Sequence, residues 1–428
     1  MSDVSASLAR ASADYVAANP ASAAYRARAS RHLPGGGTRS SYHFEPFPLV
    51  LRSGRGDYCV DLDGRARLDL NANFGVNIHG QCFGPVVAAV AGQAQRALCF
   101  AAPNALEDAL AERIARRFAR PVRVRFASSG TEAAMAAMRA ARSYSGRPLI
   151  AKLRGGYHGS SPLGTAGAPG AAPTGDPDPS ILVAPDIDAL IELVDRRRDD
   201  LAGVILEPVL GAGGLIPIAP DRLAELRRRT AHHGQLLMFD EVMMFRVAPG
   251  GVQSLIDVVP DLTVLGKLIG GGLPVGALCG AEEIMAVFDP YREGSIALAG
   301  TYNGNPMTMA AGIACLDALE PEDYARMDRI AEMLAASGNA LLARAGVPAC
   351  LARYGPFFCI HALPRPATTH AQLQGQDRAL LKALHLALIN CGVLLTPIGL
   401  GVVSTRTGGD QVDGFAAAFA RAVQRYFG

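Results

Sequence analysis

The chain has 428 residues, enough for two or three domains with ample core. Half of the residues are hydrophobic, but glycine, proline or charged residues interrupt every apolar run before it could span a bilayer, which predicts a soluble protein. The net charge of +2 is spread along the chain and gives no electrostatic reason to expect a nucleic-acid partner. Eight cysteines without a C-x-x-C pair argue against a structural zinc site or a disulfide scaffold and suit a reducing compartment.

The N-terminal segment begins with an Ala- and Arg-rich stretch. Its composition is that of a transit peptide, but the same excess runs through the whole chain, so we expect a cytoplasmic protein. Residues 5–32 predict one or two helices, ended by a Pro-Gly-Gly-Gly run. Arg39 follows in an aromatic-rich segment that could fold over a pocket. Residues 49–70 predict two or three short strands in a small antiparallel sheet, with a turn at Asp63-Gly64.

An amphipathic helix is predicted over 105–120, and strand, turn and helix over 121–147. In the turn, Ser129 and Glu132 have the spacing of a capping box. One interpretation is simply a well-capped helix. The other is an anion site, because free amides and the positive end of the helix dipole meet two hydroxyl groups there.

Tyr157 and His158 lie between glycines at the end of the next strand. They could be packing residues, or the flat ring could stack on a flat cofactor. Residues 160–180 have no periodicity and predict a loop that could be a pocket wall or lid. A central strand then ends at Glu207, which is either a carboxylate held by backbone donors or a partner for an arginine or a cofactor, and a helix is predicted over 219–233.

The segment 236–272 has the strongest chemical signal. Two short apolar runs predict buried parallel strands, with Asp240-Glu241 at the end of one and Lys267 after the other. Ligands bind at the carboxyl ends of such strands. Of the 41 Lys and Arg residues only Lys152, Lys267 and Lys382 are lysine, so few amines can lose a proton and attack a carbonyl. Lys152 remains a second candidate, whereas Lys382 lies in a helical pattern.

A buried carboxylate and lysine can be a structural ion pair or a pyridoxal phosphate (PLP) site, in which the lysine binds the cofactor and the carboxylate pairs with its ring nitrogen. Further along, residues 276–288 predict strand and helix, and Thr301 and Asn303 precede a helix that begins near Pro306. After residue 320 the pattern changes to long helices, a strand at 357–361, a helix at 372–390, a strand near 400–404 and a final helix. We therefore predict an N-terminal segment 1–70, a large domain 71–315 and a C-terminal domain 316–428.

Six motifs occur in one order: SSGTEA at 128–133, GGYHG at 155–159, EP at 207–208, FDEVM at 239–243, GKLIGGGLPVGA at 266–277 and GTYNGNP at 300–306. As a set they closely resemble the class III, fold-type-I aminotransferases, especially the branch that contains glutamate-1-semialdehyde aminomutases. The resemblance implies an α/β fold with a mostly parallel sheet between helices and a smaller α+β domain formed by both termini. It also implies a PLP cofactor, small-molecule amino donors and oxo-acid acceptors, and no metal or membrane.

The resemblance also implies the role of each site residue. Lys267 and Asp240 resemble the catalytic lysine and the carboxylate on the pyridinium nitrogen. The remaining cofactor-binding residues would be Ser129, Gly130 and Thr131 in the phosphate cup, Tyr157 and His158 at the ring, Glu207, Val242 and Thr301. In this family the threonine at the position of Thr301 acts across a homodimer interface, so a homodimer is part of the predicted site.

Within this branch, the segments around Arg39 and Asp240 are most similar to those of aminotransferases for aromatic β-amino acids. The resemblance implies that Arg39 binds a substrate carboxylate. The sequence departs from that pattern at Ile398, where those enzymes have an arginine, and it also lacks the acidic residue of the aminomutases. We therefore predict an aminotransferase, with an intramolecular aminomutase or a non-catalytic protein of this fold as alternatives.

Overall fold

The computed structural model describes residues 3–168 and 178–428 and divides the chain into two compact units. One is discontinuous and combines the chain up to Phe83 with Ala325–Gly428, and the other is Gly84–Tyr324. The domain limits predicted after residues 70 and 315 are a different division and stay a prediction. The predicted pocket wall or lid over 160–180 falls partly on residues 169–177, which lie outside the described residues.

The first part of the discontinuous unit has the predicted helices and small sheet. Its elements are α1 (Val4–Ala18), α2 (Pro20–Ala29), β1 (Leu51–Arg55), β2 (Tyr58–Asp61), β3 (Ala66–Asp69) and α3 (Ala72–Gly75), with 3-10 turns at Pro34–Gly36 and Ser40–Tyr42. The predicted helical region is two helices, because Asn19 leaves the helical conformation and Pro20 begins the second helix. Strands β1, β2 and β3 are antiparallel, as predicted, and Gly64 in the turn has φ +81°.

The unit Gly84–Tyr324 follows an alternating strand and helix pattern. Its elements are α4 (Gly84–Ala94), α5 (Ala105–Ala115), β4 (Arg123–Ala127), α6 (Gly130–Ser145), β5 (Leu149–Leu153), α7 (Pro162–Thr165), β6 (Ile181–Ala184), α8 (Ile187–Arg196), β7 (Leu201–Leu206), β8 (Val209–Leu210), β9 (Ile216–Pro217), α9 (Pro220–His232), β10 (Leu236–Asp240), α10 (Gln253–Ile256), β11 (Leu262–Gly266), β12 (Gly276–Gly280), α11 (Glu282–Met285) and α12 (Pro306–Asp317). Short 3-10 turns lie at Met244–Arg246, Lys267–Gly270 and Ala286–Phe288.

The chain then continues with α13 (Pro321–Arg344), β13 (Cys350–Tyr354), β14 (Phe357–His361), α14 (His370–Gln374), α15 (Arg378–Asn390), β15 (Val393–Leu394), β16 (Leu400–Val402) and α16 (Gly409–Phe427). The prediction of one helix over 372–390 is wrong, since two helices meet at Gly375–Asp377. Asp377 caps α15 by accepting hydrogen bonds from the Ala379 and Leu380 amides. Strand β15 adds to β3 in parallel, and β14 lies between β13 and β16 in an antiparallel sheet.

The central sheet positions the site. Its described strands have the order β4-β12-β11-β10-β7-β5-β6, and β12 alone among them runs opposite to the others. The predicted mostly parallel α/β sheet is therefore confirmed. Strands β7, β10 and β11 are buried along their whole length, as expected for parallel strands covered by helices on both faces.

Helix α6 packs closely on this sheet because its inner face is made of alanines. Six of them between Ala133 and Ala141, with Met138, are buried in one apolar cluster that includes Ile205, Met238 and Val264. Small side chains let a helix backbone approach a sheet closely, so α6 is held near the carboxyl ends of the parallel strands. Ser129, the N-cap of α6, is fixed in position as a result.

Candidate active site

Two adjacent parallel strands carry the predicted lysine and carboxylate. Asp240 is the last residue of β10 and pairs with Val264 of β11, while Lys267 directly follows β11. Both therefore lie at the carboxyl edge of the sheet. Lys267 has φ +47°, in the left-handed region that non-glycine residues rarely adopt. Such strain is concentrated at functional sites.

The surroundings of the Lys267 amine favour its reaction as a nucleophile. The side chain is partly buried, and among the residues that the structure describes its Nζ has no hydrogen-bond acceptor and no ion-pair partner. Burial lowers the pKa of Lys267, while the Asp240 and Glu207 carboxylates oppose that shift. A larger fraction of the amine is thus unprotonated near neutral pH than in an exposed lysine, as a nucleophile requires.

Lys152, the other candidate amine, is not available in this way. Its side chain is fully buried, and its Nζ donates to the carbonyl oxygens of Gly156 (3.0 Å) and Gly164 (2.7 Å).

Glu241, the second member of the acidic pair, is held by hydrogen bonds to a neighbouring turn. Its buried carboxylate accepts the Val252 amide at 2.6 Å and the Gln253 amide at 3.1 Å. Of the acidic pair, Asp240 is therefore the member that faces the site.

Asp240 and His158 form a buried pair. The Asp240 Oδ2 atom lies 2.9 Å from His158 Nδ1, and Oδ1 accepts the Val242 amide at 3.0 Å. Burial lowers the pKa of His158 and the Asp240 carboxylate raises it, with burial the larger effect. A neutral His158 can therefore donate its Nδ1 proton to Asp240. Within the described part of the chain, His158 Nε2 has no hydrogen-bond partner.

The turn before α6, where the sequence predicts an anion site, is a capped helix N-terminus. Ser129 Oγ accepts the Glu132 amide at 3.2 Å, and the Glu132 carboxylate accepts the Ser128 amide at 2.7 Å. In the predicted capping box the Glu132 carboxylate would accept the Ser129 amide. In the structure it accepts the amide of Ser128, one residue earlier. Among the described residues, the amides of Gly130 and Thr131 have no acceptor, as expected for the first turn of a helix. A phosphate bound there would accept both amides.

Strand β12 fixes the spacing between the amine and this helix. Gly276 pairs with Gly266 on one side and with Ala127 on the other, so one row crosses β11, β12 and β4. Two strand spacings amount to about 10 Å between Gly266, which precedes Lys267, and Ala127, which lies two residues before Ser129. Only glycine fits at position 276, because a Cβ atom there would lie 1.9 Å from the Ser129 carbonyl oxygen.

Tyr157, Glu207 and Val242 surround the same strand ends. The Tyr157 side chain is 44% exposed, and its amide donates to Glu207 Oε1 at 2.9 Å. Burial raises the pKa of Glu207 to about 8, although two backbone amides and Lys267 favour its ionised form. The Val242 side chain packs against Gly130 and Gly266, since a Cβ atom at either glycine would lie 3.1 or 3.2 Å from its methyl groups.

Two further predicted residues, Thr301 and Arg39, have other surroundings within their own units. Thr301 is exposed and lines an open pocket of about 870 Å³ with Cys99–Pro103 and Asn303, and the described lining residues include none of the other predicted site residues. Arg39 belongs to the discontinuous unit, where it is exposed and donates to Asn73 Oδ1 at 2.5 Å. No sequence pattern indicated this Asn73 contact. In the structure, three consecutive positive φ angles at Ala72–Phe74 show that the turn is strained.

The residues present fit a phosphorylated aldehyde such as PLP. The carboxyl edge of one sheet carries an unpartnered amine, a carboxylate supported by a histidine, and two free amides at the start of a helix. Each of these matches one part of that cofactor, namely the aldehyde, the ring nitrogen and the phosphate. The geometry is therefore compatible with a lysine-bound cofactor at this edge of the sheet.

The comparison with family models gives a match to "Aminotransferase class-III" over residues 40–407, and the chain belongs to this family. The chain is 38% identical over 397 residues to the glutamate-1-semialdehyde 2,1-aminomutase of Thermus thermophilus, covering 88% of this chain and 93% of that protein. It is 36% identical to the β-phenylalanine transaminase of Variovorax paradoxus, covering 94% and 92%.

Solved structures agree with the sequence relatives. The crystal structure of a β-phenylalanine aminotransferase from V. paradoxus matches with a TM-score of 0.93 and 35% identity, covering 99% of this chain and 98% of that one. A transaminase solved with PLP bound matches with a TM-score of 0.89 and 34% identity, covering 96% and 98%. The predicted fold-type-I α/β architecture is confirmed, as is the predicted family. Within the described residues, no helix is long and apolar enough to cross a membrane.

Proposed function

We propose that the protein is a PLP-dependent aminotransferase that moves an amino group between an amino acid or amine and a 2-oxo acid in two half-reactions. The observation that carries this proposal is the unpartnered amine of Lys267 at the same sheet edge as the Asp240–His158 pair. The paired residues Gly266, Gly276 and Ala127 connect this amine, across three strands, with the free amides that begin α6. A structural ion pair would instead place Lys267 Nζ in contact with a carboxylate oxygen.

In this proposal the residues of the sheet edge hold the cofactor. Ser129, Gly130 and Thr131 bind its phosphate, Asp240 binds the ring nitrogen, and Tyr157 and Val242 contact the ring. When bound, PLP supplies an electron sink for the bonds at the carbon that carries the amino group. His158 and Glu207 stabilise the site indirectly, since His158 orients Asp240 and Glu207 holds the Tyr157 amide.

Lys267 then has two tasks. Its Nζ would hold the cofactor through the aldehyde group, and the same amine, when free, would accept and return the proton that is moved in each half-reaction. The lowered pKa of Lys267 suits both tasks, because the amine must be unprotonated to attack or to accept a proton.

The test is the visible absorbance spectrum of the purified protein after incubation with PLP. We expect an absorbance band that depends on Lys267, is bleached by an amino donor and returns with a 2-oxo acid. Lys267→Ala should abolish the band. Lys382→Ala is the matched control, since it removes the α15 lysine and should leave the spectrum unchanged. A wild-type protein without the band would contradict the proposal and favour a non-catalytic protein of this fold.

An aminomutase is the second candidate, because several similar proteins, including the one from T. thermophilus, are glutamate-1-semialdehyde 2,1-aminomutases. The two activities differ in stoichiometry. An aminotransferase in its PLP form turns over only when a 2-oxo acid accepts the amino group, whereas an aminomutase converts glutamate-1-semialdehyde without an acceptor. Sustained turnover of that compound alone would overturn our proposal.

We further propose that the donor is an aromatic β-amino acid. The support is the similarity to the β-phenylalanine transaminase and the presence of Arg39, whose planar guanidinium can pair with a carboxylate through two hydrogen bonds. Ile398, with 38% of its surface exposed, supplies no charge where the resemblance leads us to expect a second arginine. The donor that bleaches the absorbance band fastest identifies the substrate class.

We also propose a homodimer with Thr301 contributed across the interface, in the cytoplasm. Leu98, Phe100 and Tyr302, next to or within the segments that line the Thr301 pocket, expose between 50% and 65% of their side chains, as expected for a surface that another chain covers. Light scattering measures the oligomeric state. A monomer with full cofactor affinity would contradict the role of Thr301.

The proposed location in the cytoplasm is supported by the free cysteines, which suit a reducing compartment.

A further inference from the structure

One peptide group beside the site is held from both ends by two buried ionisable side chains. The carbonyl oxygen of Gly156 accepts Lys152 Nζ at 3.0 Å, and the amide of the next residue, Tyr157, donates to Glu207 Oε1 at 2.9 Å. Gly156 and Tyr157 share this peptide bond, so a cation and a carboxylate contact its two polar atoms. Both charged side chains are almost completely buried, with 0% exposed for Lys152 and 5% for Glu207.

The fold places these two charges together. Lys152 in β5 pairs with Ile205 of the neighbouring parallel strand β7, and Glu207 follows the end of that strand. Burial lowers the pKa of Lys152 to about 8, but the nearby Glu207 and Asp240 carboxylates raise it. Burying either side chain without hydrogen-bond partners would cost several kcal/mol, and the peptide group between them supplies one partner to each.

The segment that follows this peptide contacts the carboxylate and the helix start of the proposed cofactor site. Tyr157 supplies the ring, His158 contacts Asp240, and the Ser160 amide donates to Thr131 Oγ1 at 3.3 Å. Lys152 also holds the far end of the segment, because its Nζ donates to Gly164 at 2.7 Å. A single amine therefore joins the beginning and the end of 156–164.

We propose that Lys152 is a positioning residue, which with Glu207 fixes the Gly156–Tyr157 peptide and thereby orients Tyr157 and His158 toward the cofactor. The proposal rests on the proposed function of this site, but its structural part concerns the protein without cofactor. Lys152 is fully buried and its Nζ is bound to the Gly156 and Gly164 carbonyls, so in this proposal it acts through the segment 156–164. Methionine at 152 would keep the length and apolar contacts of the side chain while removing both hydrogen bonds and the charge.

Hydrogen exchange of the apo protein, followed by mass spectrometry, tests the structural part. In Lys152→Met we expect amides in 156–164 to exchange at least about tenfold faster, with β10 and β11 unchanged, because local opening no longer breaks two charged hydrogen bonds. Lys382→Met is the matched control and should exchange like the wild type. Faster exchange across the whole unit, or no change in 156–164, would overturn the proposal. Since PLP is absent, this result is independent of the proposed function.

The functional part is tested with the PLP-loaded protein. Lys152→Met should change the visible circular dichroism of the bound cofactor and lower kcat about tenfold or more, with KM for the donor changed less than threefold, because the ring partner is misplaced while substrate contacts remain. A variant with wild-type dichroism and kcat would overturn the positioning role. If neither protein binds PLP, the proposed function fails, and the exchange result still stands.

A second variant keeps the proposal testable if Lys152→Met does not fold. The Glu207 carboxyl group accepts the Tyr157 and Gly211 amides, and Glu207→Gln keeps only one acceptor oxygen for the two, so exchange in 156–164 should be faster than in the wild type, by a factor below about ten. Where both variants fold, the double variant should exchange no faster than Lys152→Met, since both act on one peptide group. Fully additive effects, or no effect of Glu207→Gln, would contradict the shared role.

Discussion

Gly276→Ala is expected to separate the helix N-terminus from the sheet and to weaken cofactor binding. The new Cβ atom would lie 1.9 Å from the Ser129 carbonyl oxygen and 2.5 Å from its carbonyl carbon. Real Cβ contacts are essentially never shorter than 3.0 Å, so the two backbones must separate by about 1 Å (3.0 − 1.9 = 1.1 Å). Overpacking of this kind costs about 1–3 kcal/mol of folding free energy. Misalignment of one charge-assisted hydrogen bond costs about 1.5–3 kcal/mol, a roughly 10- to 100-fold loss of PLP affinity.

Urea unfolding of the apo protein measures the first effect, and titration with PLP followed by absorbance measures the second. Gly92→Ala in α4 is the matched control, because a Cβ atom there meets nothing within 4 Å. It should stabilise the protein by up to about 1 kcal/mol, the helix preference for alanine, and leave PLP affinity unchanged. If Gly276→Ala has wild-type stability and affinity, the proposed coupling between β12 and the anion site is wrong.

Three further substitutions test other parts of the molecule. Asp240→Asn removes the charge beside His158 and should lower kcat/KM about 10- to 100-fold with PLP still bound; a wild-type rate would exclude the role of Asp240 at the ring nitrogen. His385 in α15 is buried, and among the described residues neither of its ring nitrogens has a hydrogen-bond partner. Burial lowers the pKa of His385 from 6.5 to about 4, so the unfolded chain binds the proton first and about 3 kcal/mol of stability is lost as pH falls from 6.5 toward 4. In His385→Leu, urea unfolding should depend less on pH in this window, and an equally steep dependence would refute that explanation. Arg39→Lys should raise KM about tenfold for a carboxylated donor but not for an amine without a carboxylate, and equal changes for both donors would remove Arg39 from substrate binding.

The sequence predicts the parts of the site that depend on local pattern. Short apolar runs identify β10 and β11, and parallel strands place their carboxyl ends at one edge, so Asp240 and Lys267 could be brought together without a structure. The scarcity of lysine narrows the choice of amine, and helix-capping residues locate the start of α6. The roles of Tyr157, Val242 and Thr301 came from the family resemblance and stay predictions.

The remaining features depend on contacts between distant segments. Nothing around Gly156 predicts that its carbonyl meets Lys152 while the next amide meets Glu207, because strand order decides which residues meet. The single helix predicted over 372–390 ignored Asp377, whose capping side chain begins a new helix. The reversed direction of β12 was also not predicted, since a five-residue apolar run has no signal for direction.

The row through Gly266, Gly276 and Ala127 has an evolutionary consequence. Hydrogen bonds across β11, β12 and β4 set the spacing between amine and anion site, so insertions in surface loops leave it unchanged. In the proposed enzyme, substitutions outside this row, such as in the segment around Arg39, therefore leave that spacing unchanged. Diversification within this architecture should leave the three-strand row untouched and accumulate around the substrate.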